Sequence, residues 1–181
     1  LEQKERKEIL LKLIEQLPEP QRSLVYFRHV EEKEYQEIEK LMDMNENGMF
    51  VTVLFGVLNA ITHQFQYVRA GHEVPIYFDE HGSVRRLPRA SGQALGVLKE
   101  ITLEEQSIEL SKGSTLLLCS DGITDAPNQQ NAHFGYDGIT DAVSGVVGSS
   151  ATVVCESLIE AVKDHQWGLQ QYDDMTVVVM Q

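Results

Sequence analysis

The 181-residue sequence has few cysteines and few basic residues. Its two cysteines, Cys119 and Cys155, lie far apart and match no metal-ligand spacing, so we expect two buried thiols in a reducing compartment. Lys and Arg number 15 against 28 Asp and Glu, and the formal net charge is -13. This acidic balance argues against a protein that coats nucleic acid or an anionic membrane. We therefore expect neither nucleic acid nor membrane among the partners.

Long apolar runs are also missing. No stretch approaches the roughly 18 apolar residues of a membrane-spanning helix, and the charged N-terminus has no signal-peptide core. We therefore expect a cytoplasmic protein. Hydrophobic residues make up 42% of the chain, which is ample for a packed core in one domain or in one domain with an appendage.

Glycine is absent before Asn47-Gly48 and frequent after it, and this change of composition predicts a boundary there. Residues 1–47 form a helical segment in this interpretation. Apolar residues recur every three or four positions from Ile9 to Leu17, where prolines end the helix, and further helices are predicted at about 21–29 and 34–42.

The segment from Leu17 to Asn47 contains a Leu-Pro, a Gln-Arg and a Tyr-x-Glu-Ile motif. It resembles the start of the C-terminal DNA-binding region of bacterial sigma factors. That family would continue with a basic recognition helix, because the second helix of the motif enters the major groove. Here the β-branched and aromatic run from Met49 to Leu58 follows, which predicts a strand and no DNA reading. The sigma-like segment is therefore interpreted as an incomplete helical scaffold.

From Gly48 to Gln181 the pattern is β-rich. We predict a hairpin, three further strands, a buried strand at the Ser114 stretch, one long helix and a terminal strand. Their predicted ranges are 49–58, 65–69, 76–78, 84–87 and 101–110 for the strands, and 151–165 for the helix, with 154, 158, 159 and 162 on its buried face.

The stretch from Ser114 to Ala126 reads STLLLCSDGITDA, an apolar run that stops at Ser120-Asp121-Gly122. Such a run, bounded by a turn signal, is typical of a strand buried on both faces. A carboxylate at the rim of a sheet, followed by glycine, is how hard cations are often held. By itself, a simple Asp-Gly turn explains the same residues.

Several motifs occur together in order: FVTVLFGVL, YVRAGHEVP, SGQALGV, LSKGSTLLLCSDGITDA, FGYDGI and DDMTVVV. This set resembles the PPM metal-dependent protein phosphatases, specifically the bacterial branch that controls sporulation and stress sigma-factor cascades. The resemblance spans residues 48–181 and is more specific than any single motif.

The resemblance implies an α+β fold in which an antiparallel β-sandwich is flanked by helices (αββα), with short helices in place of the N-terminal strands. It also implies a centre of two Mn²⁺ or Mg²⁺ ions that activates water for attack on phosphoserine or phosphothreonine, with no covalent phosphoenzyme. In the family's motifs, the positions of Asp121 and Asp173 correspond to aspartates that bind metal. The position of Asp174 corresponds to a carboxylate that supports the metal site. Gly122 would permit the turn that aims Asp121 inward.

His72 has two interpretations, a hydrogen-bonded structural histidine, which we favour, and a general acid. The other histidines are scattered and are interpreted as surface residues. Cys119 is interpreted as a packing residue rather than a nucleophile. The arginines of the β-rich part are interpreted as a solvated strand face, with a surface that meets an anionic phosphoprotein as the alternative: Arg69, Arg85, Arg86 and Arg89.

The chain departs from the family before residue 48, where Asp43 is the only aspartate. The bridging metal aspartate and the second Asp-Gly motif of the family have no counterpart there. Two aspartates hold at most one cation weakly, so we expect little or no hydrolysis by this chain. The lost strands would leave sheet edges unpaired, so we also expect self-association.

Two hypotheses follow. The first is a metal-dependent phosphoserine/phosphothreonine phosphatase of weak or no activity, whose partner is a phosphoprotein substrate. The second is a non-catalytic interaction module that binds a regulatory protein in sigma-factor control.

Overall fold

The computed structural model describes residues 50–97 and 102–181, together with Arg22, Glu31, Lys33 and Glu37. The chain divides into two compact units, Leu1–Val51 with Gln93–Thr102, and Thr52–Gly92 with Leu103–Gln181. The predicted boundary at Asn47-Gly48 stays a prediction.

In the first unit, Arg22 and Glu37 are helical, and Val51 and Leu95 exchange two backbone hydrogen bonds of 2.9 Å. Most of the predicted N-terminal helices, and the sigma-like segment, lie outside the described residues.

The second unit contains two antiparallel sheets and three helices among its described residues. In chain order the strands are β1 (Val53–Asn59), β2 (Gln64–Ala70), β3 (Ile76–Phe78), β4 (Val84–Arg86), β5 (Glu105–Glu109), β6 (Thr115–Cys119) and β7 (Val177–Met180). The helices, all between β6 and β7, are α1 (Asp121–Thr124), α2 (Gly135–Ser144) and α3 (Ala151–His165). One sheet has the order β1-β2-β5 and the other β4-β3-β6-β7.

The central strands β3 and β6 of the four-stranded sheet are buried on both faces, as the apolar run in β6 predicts. Leu116 faces a core shared with the smaller sheet, where it packs with Phe65 and Tyr67 of β2. Leu117 and Cys119 face the opposite core, which α2 and α3 complete. The three-stranded sheet, the four-stranded sheet and the helices therefore form successive layers. This layering agrees with the predicted antiparallel sandwich with flanking helices.

Helix α3 has the predicted bounds, and the Ser150 hydroxyl caps it by accepting from the Val153 backbone N–H at 3.4 Å. Val154, Leu158 and Val162 are buried, whereas Ile159 is only partly buried. The four-residue spacing of the buried positions explains why periodicity found this helix.

Several predicted boundaries are wrong. Strand β1 begins at Val53 rather than Met49, because Val51 pairs with Leu95 and the Thr52 side chain contacts a histidine. Strand β5 is confined to Glu105–Glu109, since Glu104 is used in a loop contact with Ser91.

Four further features differ from the sequence analysis. Asp121-Gly122 begins the short helix α1 rather than a simple turn, and α2 was not predicted. Cys155 is only partly buried. His165 is not a free surface residue, because its Nε2 contacts the Ala132 carbonyl at 2.9 Å and its ring packs edge-on against Phe134.

Candidate functional site

One end of the four-stranded sheet carries the candidate site. Cys119, the last residue of β6, pairs with Val177, the first of β7, so the segments beyond these residues meet at the same edge. Asp121 follows β6, and Asp173 and Asp174 precede β7. All three aspartates are solvent-exposed. We call them the acidic edge.

Ser120 joins the two segments of the acidic edge. Its hydroxyl donates to the Asp174 carbonyl at 2.9 Å and accepts from the Thr176 backbone N–H at 3.0 Å. Its own backbone N–H donates to the Thr176 carbonyl at 3.0 Å. These bonds fix the position of Asp121 relative to the pair that precedes β7.

Gly122 has the close-packing role expected of it. It is buried, and a Cβ added there would overlap the backbone carbonyl of Asp174. Only glycine lets α1 approach Asp174 this closely. The structure therefore supports Gly122 as the residue that brings Asp121 beside the terminal pair.

Asp173 is hydrogen-bonded to residues of its own segment. One carboxylate oxygen of Asp173 accepts from the Asp174 backbone N–H at 2.7 Å, and the Asp173 carbonyl accepts from the Gln171 side chain at 2.8 Å. These bonds hold the Asp173 segment in one conformation.

The acidic edge has the kind of ligand that a divalent cation prefers, but it has too few of them among the described residues. Exposed carboxylates are the donors that Mn²⁺ and Mg²⁺ prefer. Among the residues that the structure describes, however, no three His, Cys, Asp or Glu side chains form a group that could hold a metal ion. Within the described part of the chain, the acidic edge therefore offers carboxylate donors without a complete set of metal ligands.

His72 lies at the same end of the sheet, in the segment that leads into β3. Its Nδ1 and the Thr52 hydroxyl are 3.1 Å apart, consistent with the expected hydrogen-bonded histidine. Burial lowers the pKa of His72, while the charges of Asp121 and Glu73 act in the opposite direction. The structure thus brings His72 within electrostatic reach of Asp121.

Cys119 lies beneath the acidic edge and is buried. Burial, with smaller contributions from Glu73 and Asp121, raises its pKa to about 12. A thiol that stays protonated is a poor nucleophile, which agrees with a packing role.

A second polar region, whose arginines the sequence analysis considered as a binding surface only as an alternative, lies beside the acidic edge. Three of the four arginines, Arg69, Arg86 and Arg89, line a cleft of about 400 Å³ together with His72, Glu73 and Tyr136. We call it the arginine cleft. The prediction of a solvated strand face is wrong for Arg69, whose exposed fraction is 6%.

Glu73 and Tyr136 are residues of this region that sequence reasoning did not single out. The Tyr136 hydroxyl donates to the Glu73 carboxylate and accepts from the Val74 backbone N–H at 3.3 Å. Burial and the bond to Glu73 raise the pKa of Tyr136 to about 12. The FGYDGI motif was the available signal, but it does not reveal this contact.

The layered antiparallel fold and the aspartates at the ends of β6 and β7 define a phosphatase domain of the PPM, or PP2C, class. A family model described as stage II sporulation protein E (SpoIIE) matches residues 14–181. The chain belongs to this family of metal-dependent phosphatases. The match also covers the whole sigma-like segment from Leu17 to Asn47, whose resemblance to sigma factors stays a prediction.

Two curated relatives are similar to most of the chain. Protein IcfG of Synechocystis is 27% identical over 133 residues, which cover 74% of this chain and 21% of IcfG. Phosphoserine phosphatase RsbU of Bacillus subtilis is 25% identical over 144 residues, which cover 79% of this chain and 42% of RsbU. The chain thus spans less than half the length of either relative.

Solved structures show the same fold. The phosphatase domain of SpoIIE from Bacillus subtilis, presoaked with Mn, matches with a TM-score of 0.60 and 20% identity, over 100% of this chain and 74% of that domain. The RsbU and RsbW domains of a Mycobacterium tuberculosis protein match with a TM-score of 0.68 and 19% identity, over 88% of this chain and 45% of that one.

Proposed function

We propose that the chain is a phosphoserine/phosphothreonine protein phosphatase domain of the bacterial regulatory type, with weak activity within these 181 residues. In the reaction, water attacks phosphorus, the P–O bond to the serine or threonine breaks, and the departing side-chain oxygen takes a proton. The observation that supports this proposal is the acidic edge, held by Ser120 and Gly122, in a chain of a phosphatase family.

Asp121 and Asp173 would hold one divalent cation, Mn²⁺ or Mg²⁺, with Asp174 and His72 as supporting residues. When bound, such an ion stabilises negative charge on phosphoryl oxygens. With only these carboxylates the ion is held weakly, which is the physical reason for the low rate that we propose.

Hydrolysis of a phosphoserine peptide at millimolar Mn²⁺ tests the proposal. We expect a slow rate above the metal-free background that is lost in Asp121→Asn. The matched control is Asp141→Asn, since Asp141 is exposed on α2. Equal rates in the wild type and Asp121→Asn would overturn the assignment of Asp121.

The alternative is a non-catalytic module in sigma-factor regulation. The neighbouring structure that combines RsbU and RsbW domains supports a regulatory protein as partner. A complete lack of Mn²⁺-dependent hydrolysis in the test above, with a folded protein, would favour this alternative.

The described residues contain no helix long and apolar enough to cross a membrane. In either case we place the chain in the cytoplasm.

Self-association through sheet edges is the other part of the proposal. Within the described ranges, β1 pairs with β2 alone, and apolar residues near it are exposed, namely Val57 (53%), Leu58 (40%) and Ile61 (90%). Such an edge favours pairing with a second copy.

Light scattering at tens of micromolar should show a dimer, and Val57→Lys should weaken it. The control is Val153→Lys, on the exposed surface of α3, which should leave the dimer unchanged. A monomer at that concentration would contradict the proposal.

A further inference from the structure

The arginine cleft concentrates positive charge on a protein whose formal net charge is -13. Arg69, Arg86 and Arg89 line it, and the only carboxylate among its lining residues is that of Glu73. In the described part of the chain, none of the three arginines forms an ion pair with a carboxylate. Their charges are therefore not neutralised within the described fold.

Arg69 is the best evidence for a ligand. Its exposed fraction is only 6%. One of its terminal nitrogens donates to the His72 carbonyl at 2.5 Å. Its Nε has no hydrogen-bond partner among the described residues. A buried guanidinium is costly unless its charge and its N–H groups are satisfied. An oxyanion in the cleft would compensate the charge of this guanidinium.

Arg86 is held in place by an aromatic ring. Its guanidinium lies 4.6 Å from the centroid of the Tyr136 ring, and the Tyr136 hydroxyl is fixed by its bond to Glu73. A stacked guanidinium keeps its in-plane N–H groups available for an oxyanion. The Glu73 carboxylate is at the same time engaged by Tyr136, which limits its competition for the arginines.

The cleft and the acidic edge lie at one end of the same sheet. Ile76 of β3 pairs with Arg86 on one side and with Leu117 of β6 on the other, so the segments beyond these residues are neighbours. An extended peptide that places one residue at the acidic edge could therefore place a nearby residue in the cleft.

We propose that the arginine cleft is an oxyanion subsite that binds an acidic peptide, through a carboxylate or phosphoryl group close to the residue at the acidic edge. The identification of that peptide as substrate rests on the proposed phosphatase function. The recognition itself follows from charge-assisted hydrogen bonds to guanidinium groups and does not require hydrolysis.

Fluorescence anisotropy in EDTA with three labelled peptides tests the subsite. One peptide is rich in Asp and Glu, one carries a single phosphoserine with neutral flanks, and one is the Asn/Gln counterpart. We expect at least one anionic peptide to bind about tenfold more tightly than the neutral one, as for a charge-assisted pair. The anionic peptide that binds identifies the source of the oxyanion, and equal affinity for all three overturns the proposal.

Arg86→Gln and Arg89→Gln are the informative variants, because both side chains are exposed and the fold should tolerate the change. Each should weaken anionic-peptide binding by about tenfold. Arg85→Gln is the matched control, since Arg85 is adjacent in β4 but stacks on Tyr77 and does not line the cleft. Equal losses in Arg85→Gln and Arg86→Gln would indicate unspecific attraction and overturn the proposal, as would no loss in either cleft variant.

The binding result is independent of the hydrolysis result. Asp121→Asn should lose hydrolysis and keep binding, whereas Arg86→Gln should lose binding in EDTA whether or not the wild type hydrolyses phosphopeptides. A binding wild type with no hydrolysis would leave the subsite standing and remove only the enzyme proposal.

Discussion

The acidic edge and the arginine cleft share one end of a sheet but are held by different means. Contacts to backbone atoms hold the acidic edge: the Ser120 hydroxyl bonds to the Asp174 carbonyl and the Thr176 N–H, and Gly122 lies close to the Asp174 backbone. Side-chain contacts hold the cleft, through Tyr136, Glu73 and the stacked Arg86. A change of Tyr136 or Glu73 can therefore damage the cleft while leaving the carboxylates of the acidic edge in place.

Gly122→Val should have the largest effect and should break the acidic edge. The new side chain would overlap the Asp174 backbone, which cannot move without disturbing β7. We expect a loss of about 3 kcal/mol in the free energy of unfolding, as for overpacked sites. Urea denaturation measures it. Gly145→Ala is the control, because a Cβ at Gly145 meets nothing within 4 Å, and an equally small effect of both changes would contradict the close-packing role.

Tyr136→Phe should have a smaller effect, confined to the cleft. Glu73 loses its donor and the Val74 N–H loses an acceptor, whereas the ring beneath Arg86 remains. We expect a loss of about 2 kcal/mol, as for a partly buried carboxylate that loses a partner. Denaturation is again the measurement, with Tyr172→Phe as control because Tyr172 is 70% exposed. An unchanged stability in Tyr136→Phe would show that the hydroxyl does not hold Glu73.

Replacing His72 should have the smallest effect on stability. This residue lines the arginine cleft and lies within electrostatic reach of Asp121, so it belongs to both regions. Burial sets its folded pKa below the ordinary 6.5. As pH falls through 6.5, the unfolded chain takes up a proton before the folded one, so stability decreases with falling pH. The Asp121 and Glu73 charges reduce this loss, and Arg69 adds to it.

Thermal unfolding at pH 7.5 and 5.5, chosen to bracket the ordinary pKa at about 6.5, measures this dependence. His72→Gln should reduce the difference between the two conditions, and Asp121→Asn should increase it, because the favourable charge is lost. His81→Gln, at an exposed turn position, is the control. A pH dependence unchanged by His72→Gln would contradict the role of this histidine.

Local patterns predicted much of the fold. The apolar run Thr115–Cys119 is buried, the periodicity of Ala151–His165 gave the bounds of α3, and Ile76–Phe78 is the predicted strand. Helix α2 was missed because Gly135 and Gly138 in its first turn are poor helix formers, and packing of Ile139 and Val143 against the core stabilises it.

The candidate site was only partly predictable. Aspartates next to apolar strands mark Asp121 and Asp173 in the sequence, and the ordered motifs tied them to one family. Arg69 gave no such signal, because arginine on a strand is most often exposed, and its burial depends on residues far away in the chain.

Local sequence patterns were enough to predict that β6 is buried, that carboxylates stand at the ends of β6 and β7, and that the chain resembles the PPM phosphatases. Strand pairing and packing in the folded chain were needed to establish that those ends meet, that Gly122 lies against Asp174, and that three arginines line one cleft beside them. The physical reason is that hydrophobic pattern encodes the burial and period of one segment, whereas the neighbours of a side chain depend on strand pairing between distant segments.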